Sequence, residues 1–196
     1  MVASIRTRGR AGGAGAGETD RDCLARIARG DLGALGDLYD RHAVAVHRFV
    51  ARATCGASDA PDIVQDTFVS VITAAPRYDE RLACRPWLFG IAANHLLHRR
   101  RATARLRRFL ERLVLAPAAV DDGVRRLESR DAMDLTARAL STLAPHLRVA
   151  LLMTEIEGMS GEEASAALGV PAGTVWRHVH EARAGLRRAF AQEKKR

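Results

Sequence analysis

Asp31 opens a run in which Leu35, Leu38, Tyr39, His42, Val46, Phe49 and Val50 recur every three or four residues. That interval stacks side chains on one face of an α-helix, so the spacing predicts a core helix here. Ahead of it, Thr19 and Asp20 can cap a shorter helix that carries Leu24, Ile27 and Ala28 and stops at Gly30. Behind it, CGASDA reads as a loop and Pro61 begins a third helix. One face of this helix holds Ile63, Val64, Thr67, Phe68 and Val71, and the opposite face holds Asp62, Gln65, Asp66 and Val69. Pro76 ends it. An irregular segment containing Tyr78 follows, and Pro86 then opens WLFGIAANHLLHRRR, apolar on nearly every side as far as Leu97.

The periodic pattern resumes after LAPAAVDDG, a small, proline-containing and acidic stretch that reads as a linker. Leu127, Ala132, Leu135, Ala139, Leu140 and Leu143 predict one amphipathic helix. Pro145 begins another, with Leu147, Ala150, Leu151 and Thr154 facing inward and Gly158 closing it. Ser160 and Glu163 have the spacing of a capping box, and Ala164, Ala167 and Leu168 give the helix that starts there a small apolar face. Gly169 and Pro171 suit a tight turn into a further helix. In that helix Val175, Val179, Ala182 and Leu186 share a face, while Gly173, Thr174, Arg177, His180 and Glu181 point elsewhere. The layout fits a helix-turn-helix, in which the second helix offers its N-terminal polar residues to a DNA major groove. An αα-hairpin that only packs has the same spacing.

Aromatic residues make up 5% of the chain and β-branched residues form no alternating runs, so the fold class is all-α. The organisation expected is two small helical domains joined by a flexible linker, with a helix-turn-helix in the C-terminal one. The segments are a disordered basic leader (1–18), a first helical domain (19–115), the linker (116–126), a second domain (127–190) and a polar tail (191–196). Lysine and arginine outnumber acidic residues 31 to 23, a net charge of +8 that favours a polyanionic partner. The arginines gather in RRRATARLRRFLER, residues 99–112, as a phosphate-facing surface requires.

The three cysteines, Cys23, Cys55 and Cys84, are scattered, with no C-x-x-C, which argues against a disulfide framework or a zinc site. His42 and His47 sit beside apolar neighbours and read as packed, so neither metal nor cofactor is expected. No stretch has the length and apolarity of a signal peptide or membrane span. The expected location is the cytoplasm. Among the residues after Pro86, Trp87, Phe89, Asn94 and His98 are able to stack on or hydrogen-bond to exposed bases.

DIVQDTFVSV, RPWLFGIAANHLLHRRR and LGVPAGTVWRHVHEAR, in that order and spacing, resemble the extracytoplasmic-function (ECF) group of bacterial RNA polymerase sigma factors. The resemblance covers residues 20 to 101 and 127 to 190. It implies a promoter-specificity subunit without catalysis of its own, monomeric when free, built from two helical domains called regions 2 and 4. It further implies that Asp62, Gln65, Asp66 and Val69 meet the clamp helices of the polymerase β′ subunit. It also implies the β flap as a second polymerase contact. Tyr78, Trp87, Asn94 and His98 would hold the melted strand of the -10 element, with Arg99, Arg100 and Arg101 on nearby phosphates. Gly173, Thr174, Trp176, Arg177, His178 and His180 would face the -35 duplex. Members commonly have an anti-sigma factor wedged between the two domains, which makes one a candidate partner.

The recognition helix departs from the family pattern. Trp176, Arg177 and His178 stand where lysine, serine and arginine are usual, and Glu181 replaces another arginine, a carboxylate that repels phosphate. Two other readings compete. A stand-alone helix-turn-helix regulator accounts for residues 127 to 190 but leaves the acidic Asp62 helix without purpose. A nucleic-acid-processing enzyme needs a carboxylate cluster or an activated nucleophile, and Asp62 with Asp66 lacks a third acidic partner.

Overall fold

A computed structural model describes residues 18–113 and 135–193. The expected linker and most of the leader fall outside that range, as do the last residues of the tail and the expected start of a helix at Leu127. Thr19 caps α1 (Asp20–Ala28) through a capping box with Asp22, and Asp31 caps α2 (Leu32–Thr54) by accepting from the Gly33 amide. Proline in its first turn starts α3 (Ala60–Ala74), and a short 3-10 turn, Ala75–Arg77, ends it. The helix α4 (Cys84–Leu113) runs for 30 residues without a break, so the apolar segment and the arginine run form one rod.

The second half begins with α5 (Leu135–Ser141) and α6 (Pro145–Leu151), the latter continued by a π-helical turn over Leu152–Ile156. Gly158, at φ 69°, turns the chain away as the sequence predicts. Ser160 and Glu163 form the expected capping box at the start of α7 (Gly161–Leu168). Gly169, at φ 65°, and Pro171 lead into α8 (Ala172–Glu193). The helix-turn-helix is therefore present as α7 and α8.

Helices α1 to α4 enclose a core of large side chains. Phe49 of α2 stacks on Phe89 of α4 with ring centroids 4.8 Å apart, and Leu24, Leu38, Ile63, Leu88 and Leu96 are buried around them. The predicted inner face of α3 is buried at all five positions, and Thr67 satisfies its hydroxyl by donating to the Ile63 carbonyl. The predicted inner side of α2 is not wholly buried: Leu35 and His42 are half-buried, and His47, expected to be packed, is exposed. Tyr39 is 47% exposed and sets its ring edge-on to Phe68 at 4.8 Å, on the rim of the core. Periodicity places it on the same side of α2 as the core, but only Phe68 of α3 meets its ring and nearly half of it stays open to solvent.

The two halves are not separate bodies. Their buried apolar residues form one continuous cluster. At Gly90 in α4 the backbone of α7 comes so close that a Cβ would lie 2.3 Å from the Ala167 carbonyl oxygen. Arg148 of α6 is buried and donates to the carbonyls of Ala53 at the C-terminal end of α2 (2.8 Å) and Leu143 (2.9 Å). Those are helix-end and turn carbonyls that need donors once water is excluded. Glu157, its side chain only 5% exposed, receives Arg52 at 3.4 Å and Arg85 at 2.5 Å. The halves are best called lobes of one closed structure.

Candidate nucleic-acid interface

Three surfaces carry the residues singled out by the sequence. The first is the outer face of α3. Asp62, Gln65 and Val69 are exposed and Asp66 is half-buried, with Val69 at 56% despite its apolar side chain. Next to them lies a groove of about 550 Å³ between α2 and α3, lined by Leu35, Tyr39, Val64, Phe68 and Val69. An apolar groove beside carboxylates suits a basic, amphipathic helical partner. Leu35 and Tyr39 belong to this surface, although periodicity assigns them to the core.

Arg99 behaves differently from the expectation placed on it. Its guanidinium reaches from α4 to Asp66 at 2.6 Å and to Asp62 at 3.5 Å. Those hydrogen bonds push its pKa up, so it stays charged and already occupied. The residue assigned to DNA phosphates is thus paired to two residues assigned to the polymerase.

The second surface is a stripe along α4. Trp87, Asn94, His98 and Arg101 fall seven, four and three residues apart, which returns them to one side of a helix. Asn94, His98 and Arg101 are exposed, and Trp87 is half-buried with its ring 5.0 Å from that of Tyr78. The Tyr78 hydroxyl donates to the Leu82 carbonyl, which closes the turn ahead of α4 and holds both rings in place. Arg105 continues the stripe and is exposed. It lies within the arginine run, but only the unbroken helix shows that it aligns with Asn94. Arg100 is half-buried and lies off this line. Phe89 is buried in the core and unavailable to a base.

The third surface belongs to α8. Gly173, Trp176, Arg177 and His180 are exposed and, at intervals of three, one and three residues, share a face. Thr174 is half-buried beside them. Trp176 has a second job: its indole lies against Gly161, where a Cβ would come within 2.6 Å of Nε1. The unusual tryptophan thereby packs onto the start of α7 and fixes the angle between the two helices. His178 is turned away from this face. Its ring meets His146 of α6 edge-on at 4.8 Å, and burial together with that neighbour lowers its pKa. The remaining polar neighbours fit the same picture, since the Ser165 hydroxyl closes the turn by donating to the Val170 carbonyl at 2.6 Å.

The chain is similar to known proteins along most of its length. The family description Sigma-70 region 2 matches residues 38–106, and Sigma-70, region 4 matches residues 133–186. RNA polymerase sigma factor CarQ of Myxococcus xanthus is 34% identical over 173 residues, covering 86% of this chain and 96% of that protein. ECF RNA polymerase sigma factor SigE of Mycolicibacterium smegmatis is 35% identical over 172 residues, which is 84% of this chain and 66% of that longer one. The structure of CnrH in complex with the cytosolic domain of CnrY superposes with a TM-score of 0.61 at 30% identity, covering 89% of this chain and 99% of that one. The sigma factor RpoE in complex with the anti-sigma factor NepR from Bartonella quintana shares the fold, with a TM-score of 0.60 at 23% identity over 79% of this chain and 97% of that one. Among the described residues no helix is long and apolar enough to cross a membrane. With both regions matched in order and relatives aligned along most of their length, this chain belongs to the ECF group of RNA polymerase sigma factors, non-enzymatic proteins that bind core RNA polymerase and direct promoter recognition in transcription initiation.

Proposed function

We propose that the three surfaces divide the work of initiation among them. The α3 face, with Asp62, Gln65, Asp66, Val69 and the adjoining groove, docks on the β′ clamp helices. The α4 stripe of Trp87, Asn94, His98 and Arg101, with Tyr78 behind Trp87 and Arg105 beyond it, holds the melted -10 strand. Stacking and hydrogen bonds to an unpaired base offset the cost of opening the duplex. The face of α8 made by Gly173, Trp176, Arg177 and His180 enters the -35 major groove, with Thr174 at its edge. Residues 19–115 and 127–190 act as its two promoter-binding units, in the cytoplasm.

The observation that carries this reading is that each surface presents its own exposed set while the lobes stay packed together. Elements labelled -10 and -35 are about 25 base steps apart, roughly 85 Å of B-form DNA. A compact chain of this length has a radius of gyration of only about 16 Å. Both elements are therefore read only after the lobes separate. The closed form is suited to a resting state, and an anti-sigma factor that holds it closed is the partner this implies. The stand-alone regulator has no use for the acidic, apolar face of α3.

Core polymerase binding tests the assignment. Val69→Arg is the cleaner probe than a change at Asp66, because Val69 supports no ion pair in the fold. We expect at least about tenfold weaker binding, the loss typical of a buried interface anchor. Asn94→Ala, in the same assay, leaves polymerase binding intact and lowers open-complex formation more than closed-complex formation. Unchanged polymerase affinity in Val69→Arg removes α3 from the interface.

A further inference from the structure

The fold assembles a set of metal-binding donors that no spacing in the chain announces. Asp20 is the first residue of α1, His42 lies in the middle of α2 and Cys84 is the first residue of α4. One ligand atom from each lies within 4.8 Å of the other two. Asp20 Oδ2 is 2.8 Å from His42 Nε2, and Asp20 Oδ1 accepts from Arg41 at 3.2 Å. Cys84 is 6% exposed and the His42 side chain 14%, while Asp20 is open to solvent at 31%. Cys23, fully buried, is on the neighbouring turn of α1.

We propose that Asp20, His42 and Cys84 form a binding site for a zinc-type divalent cation, with a water in the fourth position on the open Asp20 side. The donor set is one thiolate, one imidazole and one carboxylate, the mixture that zinc and cobalt accept and magnesium or calcium does not. Bonds of 2.0–2.3 Å in a tetrahedron put donors about 3.3–3.7 Å apart, so the three atoms need shift by only roughly 1 Å to close on a cation. The thiol proton leaves to solvent as the metal–sulfur bond forms, and His42 binds as its other tautomer, the proton it shares with Asp20 from Nε2 moving to Nδ1. Carboxylate and thiolate together then balance the charge of the cation. Arg41 is already on the far oxygen of Asp20 and is shared with Glu18 at 4.0 Å, where it orients the carboxylate from behind.

The consequence is mechanical. A cation here clamps α1 and α2 to the first turn of α4, three residues ahead of Trp87, and holds the Tyr78 to Ala83 turn that precedes it. This surface is the one assigned above to the -10 strand, though the metal site itself stands on the donor geometry alone.

The test is titration of the full-length reduced protein with Co²⁺, followed by absorption. We expect one equivalent bound, ligand-field bands of tetrahedral intensity, a thiolate-to-cobalt charge-transfer band, and displacement by Zn²⁺. Cys84→Ser loses the charge-transfer band and binds at least about tenfold more weakly. Asp20→Asn, a change at the exposed side that leaves the core untouched, also weakens binding by about tenfold but keeps the band. Cys55→Ser changes neither. The proposal is overturned if no stoichiometric cobalt binds, or if the band survives in Cys84→Ser and disappears in Cys55→Ser. Affinity in Asp20→Asn equal to that of the unaltered chain overturns it equally, whether or not the Cys84 variant folds.

Discussion

The two lobes are built by different means. In the first, α2 and α4 are 23 and 30 residues long and close over stacked phenylalanines and large aliphatic side chains. In the second, α7 is only eight residues long and α6 seven before its π-helical turn, and the buried side chains are smaller on the whole, among them Val149, Ala150, Leu152, Met153, Ala164, Val175, Val179 and Ala182. Isolated helices shorter than about 12–15 residues are marginal in water, so the second lobe depends on packing, and part of that packing is provided by α4 and α2. The lesson concerns function. On the proposed division of work, the lobe that moves to reach a distant DNA element is the one whose own core is slighter, and its attachment rests on a close backbone contact, a buried arginine and a buried glutamate.

The largest expected effect tests that attachment directly. Gly90→Val places side-chain atoms where the Ala167 carbonyl oxygen already lies, 2.3 Å from an ideal Cβ. Backbone cannot yield as a side chain does, so we expect a loss of about 2–3 kcal/mol and separation of the lobes. Small-angle scattering should show a larger radius of gyration with helix content retained by circular dichroism. An unchanged radius would mean that the lobes cohere without this contact.

Arg148→Met is expected to cost about 2 kcal/mol, since it leaves the Ala53 and Leu143 carbonyls buried without their donor. Denaturant unfolding measures it. Arg148→Lys should recover little, because a point charge cannot reach two carbonyls as the guanidinium fork does. Full recovery by lysine would show that charge alone joins the lobes.

The smallest effect is a pH dependence confined to the second lobe. Burial and His146 hold the His178 pKa below its ordinary value near 6.5, so folding favours the neutral ring. The associated stability is present above that value and is lost as pH falls below it. The melting temperature should drop between about pH 7.5 and about pH 5.5, and drop less in His178→Asn. An equal drop in both proteins assigns the slope elsewhere.

Legibility followed range. The capping residues Thr19, Asp31 and Ser160, the proline starts of α3 and α6 and the turn at Gly169 were readable because each acts within a few residues of itself. The inner face of α3 was readable because one buried face makes a strict period. Tyr39 misled for the converse reason: period tells which side a residue is on, not whether a neighbour reaches far enough to cover it. His178 misled because the direction of a side chain near the back of a recognition helix depends on what α6 places there.

The chain by itself determined the helices of the described residues, because helix ends and apolar faces are local properties, and three motifs in their order carried the resemblance to sigma factors. Tertiary structure alone decided the pairing of Arg99 with Asp62 and Asp66, 37 and 33 residues away, and the seat of Trp176 on Gly161. It also decided the convergence of Asp20, His42 and Cys84 from three helices. Each of these depends on where separate helices cross, and crossing geometry is set by the packing of whole faces rather than by any short stretch of sequence.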